Sequence, residues 1–271
     1  MTRRLVMDGG GRRRSRVRAR FSSRFACAAL LGAFVVALVP VVCQAQPKTA
    51  ERAYLSGRSN ATSAPPSATR LLAAADKDAL AAHWVTLQVE AHSSGTRGLY
   101  NEQVGPGSGY QVLTIDKSVA TIAMLVGNTA YLKSSERFLR QLGVAKAEAA
   151  KISNRWISVP STDRMFQQFV GGLTITGALD GTLPLPPLTM GAKIKQGNAT
   201  EQVIEGRLPA GAGGGSGSAT IWVTLGAHPL PARASVDFGH DSGLQTTFGK
   251  WGDPLRVTAP KKAIPAASLG L

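Results

Sequence analysis

Residues 110–133 read YQVLTIDKSVATIAMLVGNTAYLK, and this stretch decides the fold class. Tyr110–Asp116 and Ala120–Val126 are runs of β-branched, aromatic and aliphatic residues of strand length. Gly127-Asn128 is a tight turn into a third run, Thr129–Lys133. Strands joined by turns this short predict an antiparallel meander.

The pattern extends upstream. In Trp84–Glu90, Val85, Leu87 and Val89 alternate with Thr86, Gln88 and Glu90, which is the period of a half-buried strand. The turn-rich Gly105-Pro106-Gly107-Ser108-Gly109 separates it from the meander. Before it, Arg70–Leu80 predicts a short helix with a modest apolar face of Leu71, Leu72, Ala75 and Leu80.

Downstream the period changes to that of helices. Ser135 is placed to cap a helix carrying Phe138, Leu139 and Leu142, ended by Gly143. An Ala-rich helix follows at about 145–152, then a short strand, Arg155–Val159. Ser161 opens a further helix with Met165, Phe166, Phe169 and Val170 on one face, stopped by Gly171-Gly172. After a proline-rich bend, Leu183–Leu188, strands return at Glu201–Leu208, Ala219–Leu225, Ala232–Phe238, Leu244–Lys250 and Leu255–Ala259. Strands, helices, then strands predict an α+β domain: one large antiparallel sheet with helices packed on one face. The bulky residues of the middle helices, Phe138, Leu139, Met165, Phe166 and Phe169, either line a cavity or pack the core.

Catalytic chemistry finds little support in these residues. His83, His92, His228 and His240 are the only histidines, and none has a partner at metal-ligand spacing. Asp237, His240, Asp241 and Ser242 lie together, but at a predicted hairpin turn, where such residues belong. The glycine-rich 211–218 lacks the Gly-Lys-Ser/Thr ending of a phosphate loop. No catalytic residue, metal or cofactor is expected.

The charge of +15 comes largely from one segment. Nine arginines between Arg3 and Arg24, against Asp8 alone, precede the uncharged apolar run Phe25–Val42. Residues 1–45 therefore predict an export signal or membrane anchor, with the rest of the chain facing outward. Three fates are compatible with it. Cleavage after Ala45 is one; lipidation of Cys43 is another, although Val42 and Pro40 stand where a lipidated cysteine usually has a small residue and a leucine; retention as an anchor is the third. Cys27 and Cys43 are the only cysteines, so the domain that follows has no disulfide. Residues 46–67, rich in Ser, Ala, Thr and Pro, predict a flexible linker. About +7 remains on residues 46–271, without the aromatic-and-basic clusters of a nucleic-acid surface.

The order of several short motifs resembles the LppX/LprG/LprF-like envelope lipoproteins of mycobacteria and other actinobacteria. The residues concerned are Val126–Lys133, Phe138-Leu139, Gly143 and Arg155-Trp156-Ile157-Ser158-Val159-Pro160, then His228-Pro229-Leu230-Pro231, Thr247–Pro254 and Val257-Thr258-Ala259-Pro260. The resemblance covers about 70–262. It implies a LolA/LolB-like half-barrel over 68–262, a strongly curved antiparallel sheet with helices on its concave face, followed by a tail at 263–271. It also implies an apolar cavity for acyl chains of a lipid or lipoglycan, a membrane surface and an envelope transporter as partners, and no enzymatic activity. The wall or gate is then expected from Phe138, Leu139, Met165, Phe166 and Phe169, with Met124, Leu125, Trp156 and Trp222 contributed by strands. A filled half-barrel serving as a protein-interaction scaffold is the alternative.

Overall fold

The computed structural model describes residues 67–208 and 217–269. The first helix, α1 (Ala68–Ala82), begins where the Ser67 hydroxyl accepts from the Arg70 amide, satisfying one of the unpaired donors of the first turn. Its buried stripe of Ala68, Leu71, Leu72, Ala75 and Ala79 follows the three-and-four spacing of one helix face.

Five strands follow: β1 (Val85–Ser93), β2 (Thr96–Val104), β3 (Ser108–Ile115), β4 (Ser118–Val126) and β5 (Thr129–Ser134). Then come α2 (Glu136–Gln141), α3 (Lys146–Ile152) and β6 (Ile157–Pro160). Next are α4 (Phe166–Val170), a 3-10 turn at Gly171–Leu173 and α5 (Ile175–Asp180). The chain returns to strands as β7 (Leu185–Gln196), β8 (Ala199–Arg207), β9 (Ser218–Thr224), β10 (Pro231–Gly239) and β11 (Ser242–Gly249). A two-residue β12 (Ile264–Pro265) and a 3-10 turn, Ala266–Leu269, end the described chain.

All twelve strands form one open, curled sheet in the order β12-β6-β5-β4-β3-β2-β1-β11-β10-β9-β8-β7. Two meanders, β1–β6 and β7–β11, are joined by antiparallel pairing of β1 with β11, from Thr86 opposite Gly249 to Ser93 opposite Ser242. One strand pair is parallel, β12 with β6.

Burial alternates along the strands, so one face of the sheet is covered and the other faces solvent. The covered face carries Leu87, Leu113, Ile204, Ile221 and Val223, each at most 2 % exposed. Its cover is α1 over β7, β9 and β10, α2 against β4, α4 against β5, and the 3-10 turn Gly171–Leu173 against β2, β3 and β4. These residues and the buried residues of the helices make one apolar cluster.

Several parts of the sequence reading change. Strand β2 was not expected, because Gly98 and Glu102 stand at covered positions where an apolar side chain would be looked for. The proline-rich bend opens directly into the long edge strand β7, where Pro186 and Pro187 are tolerated. Leu255–Ala259 forms no strand; it lies between Pro254 and Pro260, and proline cannot donate to a ladder. Asp163, not Ser161, bonds the first free amide of the α4 turn, that of Met165, at 2.9 Å. The α4 helix ends at Val170, before Gly171-Gly172 as expected; what was not expected is the 3-10 turn there and the further helix α5 behind it, capped by Thr174, whose hydroxyl accepts from the Gly177 amide.

The 3-10 turn touches the sheet backbone to backbone. A Cβ built at Gly109 would collide with the Leu173 carbonyl, whereas one at Gly107 would meet open space. Gly109→Ala is therefore expected to lower unfolding free energy by about 1–3 kcal/mol and Gly107→Ala to leave it nearly unchanged, as read from urea unfolding midpoints.

Candidate functional site

The expected helical residues all reach the covered face. The Ser135 hydroxyl accepts from the Phe138 amide at 3.3 Å and starts α2, which buries Phe138 and Leu139. Gly143, at a φ of 89° that favours glycine, turns the chain out of α2 toward α3. Met165 precedes α4, and Phe166 and Phe169 project from it into the same cluster. Leu125, opposite Gly109 on β3 and Ala130 on β5, joins them from the sheet. Phe138, Leu139, Met165, Phe166 and Phe169 are each 7–8 % exposed, so they are packed rather than open to water.

The remaining strand candidates lie elsewhere. Met124 stands opposite Tyr110 and Tyr131 and is one position off the covered set Ala123 and Leu125, which places it on the other face. It is buried there between strand neighbours and does not belong to the core cluster. Trp222 is opposite Val203 and Arg233 on that same outer face. The Arg233 guanidinium sits 4.9 Å from the centre of its ring and bonds the buried Glu201 carboxylate at 2.6 Å. Arg233, stacked on Trp222 and holding Glu201, makes a polar clamp on the outer face. Trp156 is half-buried at the entry to β6, its carbonyl accepting from the Ile264 amide. Cys43 lies outside the described residues.

Sequence reasoning missed the polar groups of the covered face. Glu102 on β2 and Gln111 on β3 are cross-strand partners, and Gln111 Nε2 donates to Glu102 Oε1 at 2.7 Å. Both are at most 4 % exposed. Burial raises the Glu102 carboxyl to about 7, the Gln111 hydrogen bond opposing this. Tyr100, two residues away on the same face, has its hydroxyl pushed well above the usual range by burial, with the Glu102 charge adding to it. The signal was present: Tyr100, Glu102 and Val104 alternate with Leu99, Asn101 and Gln103, and an acid in register with buried residues marks a special position.

The histidine-containing turn is bonded to itself and to β1. Ser242 Oγ meets Ser93 Oγ at 3.0 Å and contacts the His240 backbone carbonyl, not its ring. Asp237 accepts from the Gly239 amide at 2.7 Å, closing the β10–β11 turn on itself. Among the described residues no group of three His, Cys, Asp or Glu is placed to hold a metal, and no helix is long and apolar enough to cross a membrane.

No family model and no curated protein matches the chain. Among solved structures it is similar to LprF from Mycobacterium bovis at 18 % identity and a TM-score of 0.46, over 73 % of this chain and 99 % of that one. It is similar to the lipoprotein LppX of Mycobacterium tuberculosis at 19 % identity and a TM-score of 0.43, over 69 % and 98 %. A third, an uncharacterized conserved protein from Thermus thermophilus, has 11 % identity and a TM-score of 0.41, over 73 % and 98 %.

The two buried acids give opposite expectations. The folded protein keeps the Glu102 proton up to about pH 7, while an unfolded chain releases it near the ordinary 4.5. The folded state thus binds more protons between those values, and stability falls as pH rises through that window, by on the order of 3 kcal/mol. Urea midpoints at pH 4.5 and 7.5 measure the fall, and Glu102→Gln is expected to abolish this part of it. Glu201→Ala is expected to cost roughly 2–3 kcal/mol, less than a fully buried pair because Arg233 reaches water.

Proposed function

We propose that this protein is a non-enzymatic carrier of lipid or lipoglycan acyl chains in the cell envelope. In this reading it is exported, works at the outer face of the cytoplasmic membrane, and exchanges cargo with that membrane or with an envelope transporter. The covered face of the sheet is its concave face, and acyl chains enter between the sheet and the helices.

The observation that carries the reading is the make-up of the cover. Between sheet and helices runs a continuous apolar layer, yet α2, α4 and α5 have only six, five and six residues. Helices this short are not stable alone and are held by packing. Their Phe138, Leu139, Phe166 and Phe169 can therefore be re-packed on an acyl chain in place of the strands. Each methylene removed from water contributes roughly 0.8 kcal/mol, so a pair of long chains outweighs the contacts that one such helix gives up. The sequence resemblance over 70–262 supports the same reading.

A second reading is a filled half-barrel that acts as a scaffold or modulator of envelope proteins. The close burial of those same aromatic side chains favours it.

Lipid extraction and mass spectrometry of the protein purified from its native envelope separate the two. The carrier is expected to yield near-stoichiometric lipid and to take up fluorescent acyl-chain probes, with Phe166→Trp reporting their arrival by a change in emission. A lipid-free protein that refuses such probes sinks the carrier and leaves the scaffold.

A further inference from the structure

Resting on the carrier reading, we infer that Glu102 and Gln111 form a polar subsite within the apolar layer that takes a hydroxyl group of a neutral lipid.

The cross-strand row through the pair runs Phe248, Leu87, Glu102, Gln111, Ala123, Leu132. Two hydrogen-bonding side chains thus stand together with apolar neighbours on either side in the row, and the 3-10 turn Gly171–Leu173 packs on the same two strands, with the Leu173 carbonyl against Gly109, two residues before Gln111. A carboxyl offers about four lone-pair sites, and a primary amide two donors and an acceptor. Their mutual bond occupies one donor and one lone-pair site. A pair that served only to join β2 to β3 would be replaceable by two apolar residues in a ladder that is already bonded through its backbone. Holding an acid at this depth is costly, and it is explained where a cargo brings a polar group of its own to that depth.

The surroundings select the class of group. The covered positions of β1 are Val85, Leu87, Val89, Ala91 and Ser93, and those of β3 are Gly109, Gln111, Leu113 and Ile115. Neither set includes a cation, and the 3-10 turn is Gly171-Gly172-Leu173. A phosphate or fatty-acid carboxylate would lie buried beside an acid, and among the described residues no lysine or arginine is buried to balance it. A hydroxyl fits, since it can donate to Glu102 and accept from the Gln111 amide together.

The test uses the full-length, delipidated protein and three fluorescently tagged neutral lipids: dioleoylglycerol, its O-methyl ether and galactosyl-dioleoylglycerol. The protein is expected to bind dioleoylglycerol, the galactosyl lipid, or both about tenfold more tightly than the ether, as one or two buried hydrogen bonds provide. Tighter binding of dioleoylglycerol assigns the hydroxyl to glycerol, and tighter binding of the galactosyl lipid to a sugar. Glu102→Leu is expected to lose this preference while still binding the ether, and Glu102→Gln to keep it. Equal affinity of the unaltered protein for all three overturns the subsite and leaves the carrier standing. A preference that persists in a folded Glu102→Leu protein overturns it as well. Failure to bind any of the three, the ether included, brings down the carrier reading and the subsite with it.

Discussion

The antiparallel pairing of β1 with β11 makes one sheet out of two meanders, and the covered face exists only because of it. Without that ladder, β1 and β11 would each be an exposed edge, and neither half-sheet would present a surface wide enough for the helices to cover. The joint is fixed at both ends. At one, the Ser93 and Ser242 hydroxyls meet inside the structure at 3.0 Å. At the other, beyond the last rung, the Gly252 amide donates to the Trp84 carbonyl at 2.9 Å, and the Phe248 and Trp251 rings stack at 5.7 Å. These partners are far apart in sequence, so the joint forms only after a large loop is closed.

The two faces of this sheet deal with a buried acid in different ways. On the outer face Glu201 is answered by a guanidinium that is itself stacked on Trp222. On the covered face Glu102 has an amide beside it, and burial favours its neutral form. A cation beneath the helices would have demanded its own hydration or partner. Among the described residues no lysine or arginine is buried, and a neutral acid costs less in such a layer than a charged one. The clamp stiffens the sheet from behind without entering the layer.

Much of this architecture was legible in the sequence, because most strands and helices obey the period that burial of one face imposes. The meander over 110–133, the strand at Val85–Val89, the helix under Leu71 and Leu72, and the capped turn at Ser135 all follow from it. The failures have physical causes. Strand β2 places Glu102 where the pattern requires an apolar residue, so the strand bearing the buried acid was the one hidden. The edge strand β7 is wetted along much of its length and shows little alternation. Leu255–Ala259 has the right residues but prolines at its borders. The split between Leu125 and Met124, neighbours on opposite faces, depends on strand register, and the register becomes fixed only when the neighbouring strands are paired. Trp222 was misplaced for the same reason.

The helical cover is fastened to the sheet in two different ways. Main-chain contacts tie it to the sheet where β2 ends and β3 begins. Gly105 bridges Thr174, its carbonyl accepting from the Ile175 amide, and Gly109 lies against the Leu173 carbonyl. Gly177 packs on the Gly171 carbonyl within the cover itself, so the 3-10 turn and α5 are in close main-chain contact. By contrast, Phe166 and Phe169 of α4 enter the common core through apolar side chains. Hydrogen-bonded contacts have a fixed geometry and lose their value when displaced, whereas apolar contacts are non-directional and are recovered against any apolar partner. The start of α4 is tied by main chain to β6 and the β4–β5 turn, through Phe166 to Asp163, Asp163 to Pro160 and Ser161 to Asn128, so along its own length α4 is the part of the cover that rests on apolar side chains.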